Sequence, residues 1–91
     1  MDIRKMFGRN LRRHRLAVGL SQEALAERMG VDRAHVSSME RGQQNVTLLT
    51  VWETAQALGR RAAEFLDEDA AAAAVVSGKT AKAPRRKRTK S

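Results

Sequence analysis

The sequence predicts an all-α fold: five short helices packed into one compact domain over residues 1–76, followed by a basic, disordered tail over 77–91. Three observations predict it. Apolar residues recur at three- and four-residue steps, the pattern of a helix with one buried face. Glycines at Gly19, Gly30, Gly42, Gly59 and Gly78 cut the chain into segments of helical length. No alternating run rich in β-branched residues is present, and the single proline, Pro84, lies in the tail.

The first helix is expected over about residues 3–18. Ile3, Phe7 and Leu11, with Met6 beside them, form its apolar stripe, while Arg4, Lys5, Arg9, Arg12 and Arg13 fall mostly off it. Gly19 ends this helix, and His14 is expected on its surface. Ser21 caps the second, its hydroxyl placed to accept from first-turn amides. Leu25, Ala26 and Met29 face inward there, and Gly30 stops the helix after two turns. Asp32 caps a third helix at about 33–41, in which Val36, Met39 and Glu40 share a face. Thr47 caps a fourth over 48–58, with Leu48, Val51, Trp52, Ala55 and Leu58 on the buried side. The fifth begins near Arg61 and turns Phe65 and Leu66 inward before entering the alanine run. Asp67, Glu68 and Asp69 at the start of that run suit the helix dipole.

Composition narrows the function classes. At 91 residues there is room for one small domain, and with no cysteine neither a disulfide nor a thiolate metal site holds it together. The longest apolar run, 70–76, is seven residues, far short of the ~20 that span a bilayer. Arginines recur from Arg4 to Arg15, so the N-terminus does not read as a secretory signal, and a cytoplasmic, nucleoid-associated protein with no membrane partner is expected. The net charge of +8 is unevenly placed. Residues 79–91 carry seven bases and no acid; residues 1–41 carry nine bases and five acids; residues 42–78 carry two bases and five acids. A basic first half and a basic tail point to a polyanion, most simply nucleic acid.

Two short helices joined by a tight glycine turn define a helix-turn-helix, here at about residues 22–41. Ala26 lies four residues before Gly30, where the two helices cross and a larger side chain would separate them. Gly30 takes the sharp turn, where a positive φ costs glycine little. Val31 follows as a buried plug, and Val36 and Met39 tuck the third helix against the second.

The run Leu20-Ser21-Gln22-Glu23-Ala24-Leu25-Ala26-Glu27-Arg28-Met29-Gly30-Val31, followed by Val36-Ser37-Ser38-Met39-Glu40-Arg41-Gly42, resembles the Cro/C1-type (XRE family) DNA-binding domain. The resemblance extends from about Phe7 to Leu66 and implies a lambda-repressor-like fold docked on double-stranded DNA. On the third helix, at ~100° per residue, Val36, Met39 and Glu40 point inward and Ala34, Ser37, Ser38 and Arg41 lie on the opposite arc. Arg33 stands at the first turn, close to where a docked helix meets base edges. Arginine there suits the O6 and N7 of a guanine, and the Ala34 methyl suits a thymine. Arg33, Ala34 and Ser38 are therefore the candidates for base readout, with Ser37 at the edge. Gln22 resembles the family's backbone-contacting glutamine. Arg41, Gln43, Gln44 and Asn45 follow the recognition helix, where the family touches the other strand's backbone and register is set without reading sequence. The resemblance also implies an ion pair between Arg15 and Glu40, at least partly buried and structural in role.

His14 and His35 lack the spacing or third ligand of a metal site. The acidic cluster at 67–69 lacks the alternating ligands and turn glycine of a calcium loop. With no nucleophile–base pair or phosphate loop, neither an enzyme nor a cofactor is expected. Leu49, where the family usually has a polar residue, combines with Phe65, Leu66 and the Ala/Val stretch into an expected dimer patch. Thr54 departs the other way, being polar where an apolar residue is common. The leading expectation is a transcriptional repressor acting as a homodimer on a palindromic operator, its two recognition helices one DNA turn (~34 Å) apart. Lacking room for a ligand-sensing domain, it would respond to its own concentration, a partner or degradation. That profile resembles restriction–modification controller proteins and phage switches. Two alternatives stay open: an antitoxin that also neutralises a protein partner such as a toxin, and a nonspecific nucleoid accessory whose basic tail dominates binding.

Overall fold

Most of the helices start where a side chain satisfies a free amide. Asp2 Oδ1 accepts from the Arg4 amide at 2.8 Å and opens α1, Ile3–Ala17. Ser21 Oγ accepts from the Ala24 amide at 3.0 Å and opens α2, Gln22–Met29. Thr47 Oγ1 does the same for the Thr50 amide at 3.0 Å and opens α4, Leu48–Leu58. Asp32 stands at the head of α3, Arg33–Glu40, but its side chain makes no capping hydrogen bond, contrary to the sequence expectation. The structure, a computed structural model, describes residues 2–76; the predicted disordered tail over 77–91, its seven bases included, lies outside the described residues. Among the described residues every element is helical, in agreement with the predicted all-α class.

The fifth helix differs from its prediction. Instead of one helix from Arg61, the chain makes a short 3₁₀ turn, Ala62–Leu66, and restarts as α5, Glu68–Val76. Asp67 sits between them in an extended conformation, and its carboxylate accepts from the Ala70 amide at 2.9 Å. The break follows from Asn10 on α1. Its side-chain amide, fully buried, donates to the carbonyls of Phe65 at 3.0 Å and Asp67 at 3.1 Å. The Phe65 carbonyl is thereby turned toward α1, while that of Asp67 also accepts the Ala71 amide at 3.2 Å, the first bond of α5.

The core gathers Phe7 and Leu11 from α1, Leu25 and Ala26 from α2, Val36 and Met39 from α3, Val51, Ala55 and Leu58 from α4, and Phe65 from the 3₁₀ turn. Full burial of its Phe, Leu, Met and Val side chains stabilises by about 1.5–3 kcal/mol each. Phe65 is its pivot, with its ring centroid 6.1 Å from Phe7 and 4.9 Å from His14. Gly8 lets α1 and α3 approach until backbone meets side-chain space: a Cβ there would lie 2.6 Å from the Glu40 carbonyl oxygen and against that of Met39.

Several residues sit elsewhere than expected. His14 is buried, because Phe7, Leu11 and His14 follow one another at four- and three-residue steps on the same face. Ile3 and Leu66 are exposed, and Val31 is half-buried where a plug was expected. On α4 the contact arc is narrower than the apolar stripe. Val51, Thr54, Ala55 and Leu58 fill it, leaving Leu48 83% and Trp52 55% exposed where burial was expected. Thr54 is tolerated inside because its hydroxyl donates to the Thr50 carbonyl at 2.8 Å. Phe65, fully buried, cannot belong to the surface patch expected with Leu49.

Candidate nucleic-acid interface

The turn between α2 and α3 fixes how the third helix is presented. Gly30 takes a left-handed conformation at φ 71°, and the Gly30 and Val31 amides then reach back to the Glu27 and Ala26 carbonyls at 3.3 and 3.0 Å. Val36 and Met39 are buried against α1 and α2, so the opposite arc of α3 faces outward. Arg33 and Ala34 are exposed at its first turn, and Ser37 and Ser38 are half-buried further along.

Behind that arc the polar groups are joined. The Arg41 guanidinium donates to Ser37 Oγ, and also to Gln43 Oε1 at 3.2 Å from Nε and 3.1 Å from Nη2. Gln44 Nε2 donates to Ser38 Oγ at 2.9 Å. These bonds hold the chain after α3 against the helix itself, so Ser37, Ser38, Arg41, Gln43 and Gln44 form one surface. Asn45 continues it and accepts from Arg4 Nη1 at 3.4 Å.

A buried charge pair anchors the other side. Arg15 Nε lies 2.5 Å from Glu40 Oε2 and Arg15 Nη2 3.0 Å from Glu40 Oε1, the bidentate fork that arginine forms with a carboxylate. Both side chains are almost fully out of solvent. Arg15 Nη1 also donates to the Leu20 carbonyl at 2.8 Å. Gln22 Nε2 donates to the same Glu40 Oε1 at 3.0 Å, which leaves its second N–H for an outside acceptor. One carboxylate therefore links α1, α2 and α3 and sets the attitude of the outer arc.

Two cations that the sequence reading left out of the site lie beside it. Arg4 reaches Asn45, and Lys5 lies directly over the turn at Gly42. Sequence placed both on the exposed side of α1, but only the tertiary approach of α1 to residues 42–45 brings them to this surface. His35 is half-buried on the flank of α3. Among the described residues no group of three His, Cys, Asp or Glu side chains could hold a metal ion, and no helix is long and apolar enough to cross a membrane.

Comparison with known proteins agrees with the helix-turn-helix fold. The helix-turn-helix family profile (HTH_3) matches residues 11–65. An uncharacterized HTH-type transcriptional regulator, y4dJ of Sinorhizobium fredii, is 48% identical over 59 residues, spanning 65% of this chain and 77% of that protein. Control protein C.SmaI of Serratia marcescens is 41% identical over 66 residues, spanning 72% of this chain and 79% of that protein. Among solved structures, the restriction-modification controller protein C.AhdI from Aeromonas hydrophila superposes with a TM-score of 0.65 at 45% identity, covering 68% of this chain and 90% of that one. The chain belongs to the Cro/C1-type helix-turn-helix family, a family of DNA-binding transcription regulators.

Proposed function

We propose that this sequence-specific DNA-binding regulator works as a homodimeric repressor on a two-fold symmetric operator, with α3 in the major groove. In this reading Arg33 pairs with a guanine edge, Ala34 packs on a thymine methyl, and Ser38 and Ser37 read at the margin. Gln22, Arg41, Gln43, Gln44 and Asn45, now with Arg4 and Lys5, hold the phosphates and set register. The role is binding without catalysis, exerted on nucleoid DNA in the cytoplasm. The observation that carries the reading is the exposed Arg33 and Ala34 at the first turn of a helix whose opposite face is fixed in the core. Likeness to restriction–modification controller proteins supports the regulatory role.

The test is selection of binding sites from random duplex DNA, followed by anisotropy titrations over a salt series. The expected result is a palindromic site preferred by ~10³ or more, with Arg33→Ala losing about 1–3 kcal/mol on that site and little elsewhere. If no site is enriched and binding follows salt while ignoring Arg33, affinity is electrostatic and the proposal fails.

A further inference from the structure

Two arginines are used neither by the DNA reading nor by the core. Arg13 on α1 and Arg60, in the link between α4 and the 3₁₀ turn, are both half-buried. Each has a buried Nε with no hydrogen-bond partner among the described residues. Neither guanidinium forms an ion pair there. A cation drawn out of water without a counter-charge is destabilising, and a buried donor without an acceptor is rare in a native fold.

Both converge on His14, which is buried. Arg13 Nη2 lies 3.3 Å from His14 Nε2 and donates to Asn10 Oδ1 at 3.2 Å, which holds the guanidinium beside the imidazole. Arg60 is fixed through its backbone, its amide donating to the Ala55 carbonyl at 2.9 Å just after the left-handed turn at Gly59. The charges of Arg13 and Arg60 add to burial in lowering the His14 pKa, and Glu64 is the carboxylate that opposes them. Glu64 lies 3.9 Å from His14 Nε2, but its Oε2 is already taken by the Arg61 amide at 2.9 Å. Two guanidiniums and an imidazole therefore share one carboxylate, and the local excess is positive.

We propose that Arg13 and Arg60, flanking His14, form a binding site for a phosphate dianion, which clamps α1 to the link after α4. Only the two Nε atoms are sealed from solvent; Nη1 of Arg13 and both Nη atoms of Arg60 keep access and have no partner among the described residues. The planar edge of a guanidinium matches the oxygens of a phosphate, and two such edges match its double charge. The ligand is not DNA. Arg13 and Arg15 are two positions apart, about 200° around α1, and Arg15 is turned to Glu40 on α3. Arg13, and Arg60 beside it, thus lie on the side of α1 away from the recognition helix. The inference stands apart from the DNA reading, and either can fail without the other.

The test titrates inorganic phosphate into the full chain without DNA at about pH 7.5, where phosphate is mainly dianionic. The ring signals of the two histidines are followed by NMR, with calorimetry alongside. His14 reports the proposed site, and His35 on α3 reports phosphate that collects on the DNA-facing side. Phosphate is expected to shift the His14 signal saturably and to raise its titration midpoint by about one pH unit, because an adjacent anion favours the imidazolium. Sodium chloride and acetate at matched ionic strength are expected to do neither. Arg13→Gln and Arg60→Gln are each expected to weaken phosphate binding about tenfold, the loss of one charge-assisted hydrogen bond. Arg12→Gln, exposed on the same helix, is expected to leave it unchanged. Circular dichroism melts without phosphate check the fold of each variant. Should Arg13→Gln unfold, Arg60→Gln supplies the result alone, since the Arg60 side chain makes no hydrogen bond among the described residues. The proposal is overturned if phosphate moves His14 no more than chloride does, if acetate binds as well, or if the response survives both arginine changes. A His14 shift produced by duplex DNA and lost in Arg13→Gln would overturn it too, by making the site part of the DNA contact.

Discussion

The two halves of this small fold differ in which misfits dominate, although Thr54 is buried on α4 and Ile3 is exposed on α1. From α1 to α3, polar and charged groups are taken inside: Asn10, His14, and the Arg15–Glu40 pair with its link to Gln22. Along α4, apolar groups are left outside: Leu48, Leu49 and Trp52. Buried charges gain little net stability, because desolvation offsets most of their attraction. They do impose direction, since a bidentate fork and a buried amide fix the angle between the elements they join. Exposed apolar surface does the reverse, having no preferred direction but a tendency to be covered. The half that must hold a reading helix at a fixed attitude is tied by hydrogen bonds, while α4 keeps large apolar side chains uncovered.

The largest test of that contrast is to cut the buried pair. Glu40→Ala leaves the Arg15 guanidinium buried with only the Leu20 carbonyl as partner. It is expected to destabilise by about 3–5 kcal/mol, as does Arg15→Ala, because each strands a charge in low dielectric. Replacing both by leucine is expected to cost less than either single change, since no charge is left alone. Urea unfolding followed by circular dichroism measures all three. Equal and small losses throughout would mean that the pair contributes no more than a surface bridge and that α3 is held by packing alone.

A smaller effect is expected at Gly8, where the restraint is steric. Alanine there gains about 1 kcal/mol of helix propensity. Its Cβ, however, collides with the carbonyl oxygens that end α3, which are backbone and cannot swing aside. Overpacking of this kind costs about 1–3 kcal/mol or more, so net destabilisation is expected in thermal melts. Because the collision displaces α3 relative to α1, operator affinity should fall alongside. A Gly8→Ala protein with raised melting temperature and unchanged DNA binding would show that the two helices can separate freely.

How much of this was legible from sequence differs between the same two halves. The two helices of the motif were readable almost to the residue, because Ser21, Gly30 and the apolar steps through Val36 and Met39 are local signals that agree with one another. On α4 the local signal misled. Leu48 and Trp52 have the right spacing for the buried side, but width of burial is set by what lies opposite, which is not written in the helix. The break at Asp67 depends on an asparagine 57 positions earlier, and no window along the chain contains both. Gly8 and His14 could have been found: a glycine inside a helical pattern marks close approach, and His14 continues the stripe of Phe7 and Leu11. At the candidate site, the arc of α3 followed from helical geometry alone. Arg4 and Lys5 required knowing that α1 ends its approach over residues 42–45.

The smallest expected effect concerns His14, the one buried polar group in the first half that titrates near neutrality. Burial lowers its pKa below the ordinary 6.5, and the neighbouring Arg13 adds to this, while Glu64, 3.9 Å away, opposes it. The folded protein therefore favours the neutral ring, whose Nε2 lies 3.3 Å from Arg13 Nη2 and can accept from it. The unfolded chain, with its ordinary pKa, binds the proton first as pH falls. Stability from this residue is thus fully present above pH 6.5, declines below it, and levels off once the folded form also protonates. Denaturation midpoints taken between pH 7.5 and 5.5 should fall more steeply for wild type than for His14→Gln, which cannot titrate. Parallel slopes would assign the decline to carboxylates instead. Because His14 packs at a tilt against Phe65, which joins the 3₁₀ turn to the core, any acid loosening should begin where the two halves meet and leave the Arg15–Glu40 side of α3 in place.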